Sequence, residues 1–248
     1  MVAAGVAAGM LNAVVGAGTL VTFPLLLALG VPPLTANVSN TLGLVPGSLS
    51  AAWRYRGLVA PHRHLVTVLV GAGCLGALVG ATALLVLPAA AFTAAVPVLL
   101  LAAAALVAVQ PLLSRWLARR GGRAGTVLEP GARVGLWLPV GVGLSGVYGG
   151  YFGAAQGVLL LGLLGVALGD LQTANGVKNL VAGGVNLVAG ALFALAAPVN
   201  WAIAGLLAVG SVAGGALGAH VGQKLPDKAL RAVVVVVGVV AAVRALVG

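Results

Sequence analysis

Acidic side chains are nearly missing from this chain: Glu129, Asp170 and Asp227 are the only three in 248 residues, and charged residues of both signs reach only 6%. Ordinary globular domains carry about 25%, so a soluble fold of this length could not cover its surface. The scarcity also excludes the common catalytic sets. Asp170 and Asp227 both stand at loop edges, so no Ser–His–Asp arrangement can be built, and no proton relay can be nominated. Cysteine is limited to Cys74, inside a Gly-rich apolar stretch, which excludes a disulfide framework and a Cys-x-x-Cys metal site.

What fills the chain instead is apolar. Hydrophobic residues make up 61% of it and the mean hydropathy is +1.18. Runs long enough to cross a hydrocarbon core of roughly 30 Å recur from end to end. These features predict an all-α, multi-pass membrane protein. MVAAGVAAGML has no basic n-region, so it is read as the first membrane segment and not as a signal peptide. The formal charge of +10 would suggest nucleic acid in a soluble protein. Here the cations gather in short loops between apolar segments, where they encode orientation, and nucleic acid is not an expected partner.

The chain also repeats itself. TANVSN at 35–40 returns as TANGVKN at 173–179, and LGALVGA at 75–81 lies against GGALGAH at 214–220 at a similar offset. Each half opens on a Gly-broken apolar stretch, with NAVVGAGTLVTFP in the first and GVYGGYFGAAQGVLLL in the second. Internal duplication is therefore the organising feature. The expected layout is a first membrane repeat at 1–113, a basic cytoplasmic linker at 114–133 and a second repeat at 134–248. Within these, hairpins are expected at 2–29 and 134–168, and helices at 33–54, 64–86, 90–113, 171–195, 199–221 and 227–247.

Each broken stretch could be one long helix, which gives eight crossings and a parallel repeat. Alternatively, each could be a re-entrant hairpin, which leaves three crossings per half and inverts the second half. Loop charge favours the hairpins. They collect eleven basic residues on one side, among them Arg54, Arg56, Arg63, Lys224, Lys228 and Arg231, and leave only Arg244 on the other. Eight crossings would collect eight. The fold class expected is thus two inverted-topology repeats, each a broken helical hairpin plus three transmembrane helices.

Polar groups within such segments are expensive and mark candidate sites. Lys178 is the only charged residue well inside an apolar segment, and Asn175, Lys178, Asn179 and Asn186 fall on one helix face. They read as an anion-attracting amine with amide donors, or alternatively as a snorkelling lysine with asparagines that tie helices together. Asn37, Asn40 and Thr41 form the matching face in the first half. The broken stretches add Asn12, Gly16, Gly18 and Thr19 in one half, and Tyr151 and Gln156 near Gly149–Gly153 in the other. Helix breaks in paired repeats point to a transporter's binding site. GVGLSG at 141–146 matches a dinucleotide fingerprint by letters alone, with no strand before it. His62 and His64 flank Arg63 without a third ligand, so no metal site is expected.

These residues carry a family resemblance. NAVVGAGTLVTFPLLLALGVPPLTANVSN resembles the opening signature of the TauE/SafE, sulfite exporter-like, family, and GVYGGYFGAAQGVLLLGLLG followed by NGVKNL resembles its second-half signature. The family's usual glycine triplet is Gly16-Ala17-Gly18 here. The resemblance implies an inner-membrane carrier of sulfite or an organosulfur anion, with Asn12, Gly16, Gly18, Asn37, Asn40, Lys178 and Asn179 at motif positions. The function expected is export of a small anion by alternating access from a bacterial cytoplasmic membrane, with no enzymatic activity and no cofactor. A non-transporting membrane subunit and an anion channel are the alternatives. The partners expected are the lipid bilayer and a small anionic substrate, with a coupling ion and a homodimer left open.

Overall fold

A computed structural model describes residues 1–121 and 135–221, together with 243. Among them the fold is entirely helical: α1 (Val2–Val14), α2 (Thr19–Ala28), α3 (Pro33–Arg54), α4 (Arg56–Val59), α5 (Arg63–Val86), α6 (Ala89–Gly121), α7 (Trp137–Tyr151), α8 (Gln156–Leu168), α9 (Leu171–Ala196) and α10 (Trp201–Val221). A 3₁₀ turn at Ala60–His62 joins α4 to α5. Four stretches are long and apolar enough to cross a membrane: Arg56–Val86, Ala89–Gln110, Leu171–Ala196 and Trp201–His220. The 22-residue α3 is long enough too, but its polar residues Asn37, Ser39, Asn40, Thr41 and Ser48 lower its hydropathy, and all five are buried inside the bundle. The first residues of the basic stretch 114–133 continue α6. The remainder of that stretch, and the helix expected at 227–247 with Lys224, Lys228, Arg231 and Arg244, lie outside the described residues.

α1, α2, α7 and α8 are too short to cross. At 1.5 Å per residue, α1 with 13 residues and α2 with 10 reach roughly 20 Å and 15 Å. Each pair doubles back. Gly18 packs beside Ala8 and Asn12, while Gln156 returns to Ser145 and Leu163 lies against Gly141. The first break, Val15–Gly18, falls where the glycines predict it, and Gly16 adopts φ +78° there. The second falls at Phe152–Ala155, a few residues beyond the centre of Gly149–Gly153. Gly149 and Gly150 stay helical, and their missing Cβ atoms make room for the Gln156 side chain and for Ala77 of α5. Gly153 and Ala155 take the left-handed turn instead, at φ +74° and +59°. For alanine that conformation costs about 1–2 kcal/mol. Phe152, in the same turn, is held by edge-on contact with Phe23 at 5.2 Å and by Phe92 at 6.1 Å.

Small residues then set the directions of packing. Gly210, Gly214 and Gly218 of α10 lie on Val2, Val6 and Met10 of α1, in ascending order, so these helices run parallel. Gly76 and Gly80 of α5 do the same on Gly143 and Val147 of α7, with no room for a side chain at either glycine. Both contacts join one half of the chain to the other, and backbone-to-backbone approach of this kind is how helices associate in lipid. Between α3 and α9 the order is reversed. Gly176 meets Tyr55 and Val59, Gly183 meets Ser48 and Leu49, and Gly190 meets Leu42. The two helices that carry the TAN phrases are antiparallel.

Arg54, Arg56, Arg63 and Asp170 share one end of the bundle, where Arg54 reaches His220 at 3.1 Å. Asp170 is the N-cap of α9. Its carboxylate accepts from Thr173 Oγ1 at 2.6 Å, from the Thr173 amide at 2.8 Å and from the Gln172 amide at 3.3 Å. The Thr173 hydroxyl, then its amide, hold the Asp170 carboxyl below the usual aspartate range. A depressed carboxyl stabilises the fold above its unfolded pKa of about 3.9 and loses that contribution as pH falls through the folded value. Asp170→Ala is expected to lower stability by roughly 1 kcal/mol at neutral pH. Thermal unfolding in detergent should show the gap from wild type closing in acid.

Candidate functional site

The buried polar residues gather where the broken helices end. When α1 stops, the Val15 and Gly16 amides both turn to Leu11 O, which strands the carbonyls of Asn12 and Ala13 without helical donors. Lys178 of α9 supplies them: Nζ donates to Asn12 O and to Ala13 O, each at 3.0 Å. The side chain is 1% exposed, and Lys178 is the only ionisable charged residue buried among the described residues. A cation there also complements the partial negative charge at a helix C-terminus. Asn179 Nδ2 donates to Ala13 O at 3.4 Å and to Asn175 O at 3.0 Å, and Asn175 Nδ2 donates to the Tyr55 hydroxyl at 3.0 Å. Asn12 Nδ2 completes this cluster by donating to Ser48 Oγ at 3.0 Å.

A second cluster forms around α3. Asn37 Nδ2 donates to Tyr151 O at 3.1 Å, the carbonyl of the last residue of α7. Asn40 grips α2: Nδ2 donates to Thr19 Oγ1 at 3.1 Å, and Oδ1 accepts from the Thr22 hydroxyl. The relation is reciprocal in part. Asn37 serves the carbonyl at the end of α7 in the other half, as Lys178 and Asn179 serve those at the end of α1, while Asn40 binds α2 of its own half. Between the clusters the hairpins touch directly, with the Gly157 amide, at the start of α8, donating to Gly16 O at 3.2 Å. The glycine Cα atoms sit so close that a methyl on either would overlap the other.

The two phrases therefore lie toward opposite ends of the α3–α9 pair. Tyr55, which Asn175 holds, lies about 22 Å along α3 from Asn40, so the sequence-predicted residues divide into two groups. Lys178, Asn179, Asn175 and Asn12 form one, and Asn37, Asn40, Thr19 and the Tyr151 backbone form the other. Thr41 bonds back to Asn37 O within its own helix at 2.9 Å, and Gln156 bonds to Ser145 O within the second hairpin at 3.1 Å. Gly16 and Gly18 provide the turn and close approach of the first hairpin. Asn186 is half-buried on α9, with no side-chain hydrogen bond among the described residues. Ser48, at i+11 on the Asn37 face in sequence, does join the first cluster through Asn12. Tyr55 and Thr22 are the additions. Tyr55 was hidden in sequence by the charged loop around it, and Thr22 is a small hydroxyl that only packing identifies.

Three of these asparagines keep a buried oxygen without a partner: Oδ1 of Asn37, Asn175 and Asn179. An unpaired buried acceptor costs about 1–3 kcal/mol. Chemically, the Lys178 cluster offers a cation with one N–H left over and, on the Asn179 amide beside it, a free acceptor. A groove of about 390 Å³ lies elsewhere, along α7 and α8 between Trp137, Leu144, Leu163 and Val166.

Comparison with known proteins follows the same lines. The family model described as "Sulfite exporter TauE/SafE" matches residues 1–245. A "Probable membrane transporter protein ORF9" from Sinorhizobium sp is 27% identical over 244 residues, covering 96% of this chain and 88% of that protein. No solved structure matches the chain.

Proposed function

Since the chain belongs to the TauE/SafE sulfite exporter family, we propose that this multi-pass membrane protein is a secondary transporter that exports a small oxyanion of the sulfite or sulfonate type by alternating access. The observation that carries the reading is Lys178, a buried cation with no acidic partner among the described residues, seated on the stranded carbonyls of a broken helix. An anion arriving there finds one free ammonium N–H. By taking part of the ammonium's attention from Asn12 O and Ala13 O it would loosen the tip of the first hairpin, which links occupancy to conformation.

Two inverted repeats, with re-entrant hairpins from opposite faces, are supported by the antiparallel run of α3 and α9 and by the reciprocal parallel pairs α1–α10 and α5–α7. The repeats are 1–113 and 134–248, joined by the basic linker 114–133. The end that carries Arg54, Arg56 and Arg63 faces the cytoplasm of a bacterial inner membrane, following the bias of short basic loops. Exposed Trp53 and Trp137 at that end and Trp201 at the other suit the two interfaces.

Proteoliposomes loaded with labelled sulfite test the proposal. The expected result is saturable flux that unlabelled sulfite inhibits. Flux rising linearly with concentration would make the protein a channel, and no flux above protein-free liposomes would leave a membrane scaffold.

A further inference from the structure

The Lys178 cluster narrows the substrate further. Resting on the anion-transporter reading above, we infer that its ligand is a singly charged anion bearing its own N–H or O–H donor, and not a dianion.

Charge sets the first half. Lys178 is the only ionisable charged side chain buried among the described residues, and Arg54, Arg56 and Arg63 are exposed at the end of the bundle. One buried ammonium balances one negative charge. A second would stay uncompensated in a medium where unpaired charge is very costly.

Hydrogen bonding sets the second half. Two of the ammonium's three donors are spent on Asn12 O and Ala13 O. Asn179 Nδ2 shares the Ala13 carbonyl with Lys178, which sets the Asn179 side-chain amide beside the ammonium. Its Oδ1 has no partner, and Asn179 is 0% exposed. A ligand with oxygens alone could use the free ammonium N–H but would set acceptor against acceptor at this amide. A ligand that also donates satisfies it. A metal cation would satisfy it too, but the adjacent ammonium repels it.

Three probes separate these terms: sulfamate, a monoanion with N–H donors; methanesulfonate, a monoanion without donors; and sulfate, a dianion without donors. Titration calorimetry on the purified full chain in detergent is expected to find sulfamate about tenfold or more tighter than methanesulfonate, since leaving a buried acceptor unpaired carries a penalty of that size. Sulfate should be weakest. Asn179→Leu should bring sulfamate to within about twofold of methanesulfonate by removing that acceptor. Asn179→Ala provides the same comparison if the first variant does not fold. Methanesulfonate or sulfate binding as tightly as sulfamate would overturn the inference while leaving an anion transporter in place. Absence of binding by all three and by sulfite would remove both.

Discussion

Lys178→Met is expected to reduce sulfite flux in proteoliposomes by roughly a hundredfold or more, because removing one partner of a buried charged contact costs about 2–5 kcal/mol of affinity. The protein should remain folded and inserted. Methionine keeps most of the apolar stem, and Asn179 still donates to Ala13 O. The variant loses two charge-assisted bonds to Asn12 O and Ala13 O but also sheds the cost of burying an ammonium, and these terms oppose each other. Stability and function should therefore separate: a small change in thermal unfolding beside a near-complete loss of flux. Unchanged flux with an intact fold would reduce Lys178 to a cap on α1.

Gly157→Ala should have the opposite signature, with stability and flux lost together. The added methyl would overlap the Gly16 Cα and disturb the Gly157 N–H to Gly16 O bond, so the hairpins would have to part. Overpacking of this kind costs about 1–3 kcal/mol and sometimes more, and backbone on both sides leaves little that can yield. Gly16→Ala adds the strain of φ +78° to the same overlap. Gly165→Ala is the control. It lies in the same helix as Gly157 with nothing within 4 Å of the added methyl, and alanine there should stabilise α8 by up to about 1 kcal/mol. Melting of the three variants in detergent, followed by size-exclusion fluorescence, would read out the difference.

The sequence made the helices legible because hydropathy and glycine placement act locally. The first break was visible in Gly16 and Gly18. The second was displaced because Gly149 and Gly150 serve packing against Gln156 and Ala77, while an alanine, at position 155, takes one of the strained angles. Glycine in a membrane helix answers to two demands, turning and close approach, and sequence alone does not say which. Lys178 was recognisable as a lone charge in an apolar run. Its partners were not, because Asn12 O and Ala13 O are backbone atoms stranded by the end of a helix. The pairing of Asn175 with Tyr55 depends on α3 and α9 running in opposite directions, and that of Asn37 with Tyr151 O on α7 ending against α3, neither of which a local pattern encodes. The repeated TAN phrase thus has a physical account: each copy binds the far half of the chain, at opposite ends of one helix pair.

Opposed orientation of the halves is what the mechanism rests on, and two cysteines can measure it. In a Cys74→Ala background, single cysteines are placed at Leu29, where α2 leads into α3, and at Leu171, where α8 leads into α9; both positions are exposed. A membrane-impermeant maleimide is then applied to right-side-out and inside-out vesicles. Labelling of the two positions from opposite faces, with Leu171→Cys reacting from the cytoplasmic face, is the predicted result. Labelling of both from the same face would contradict it.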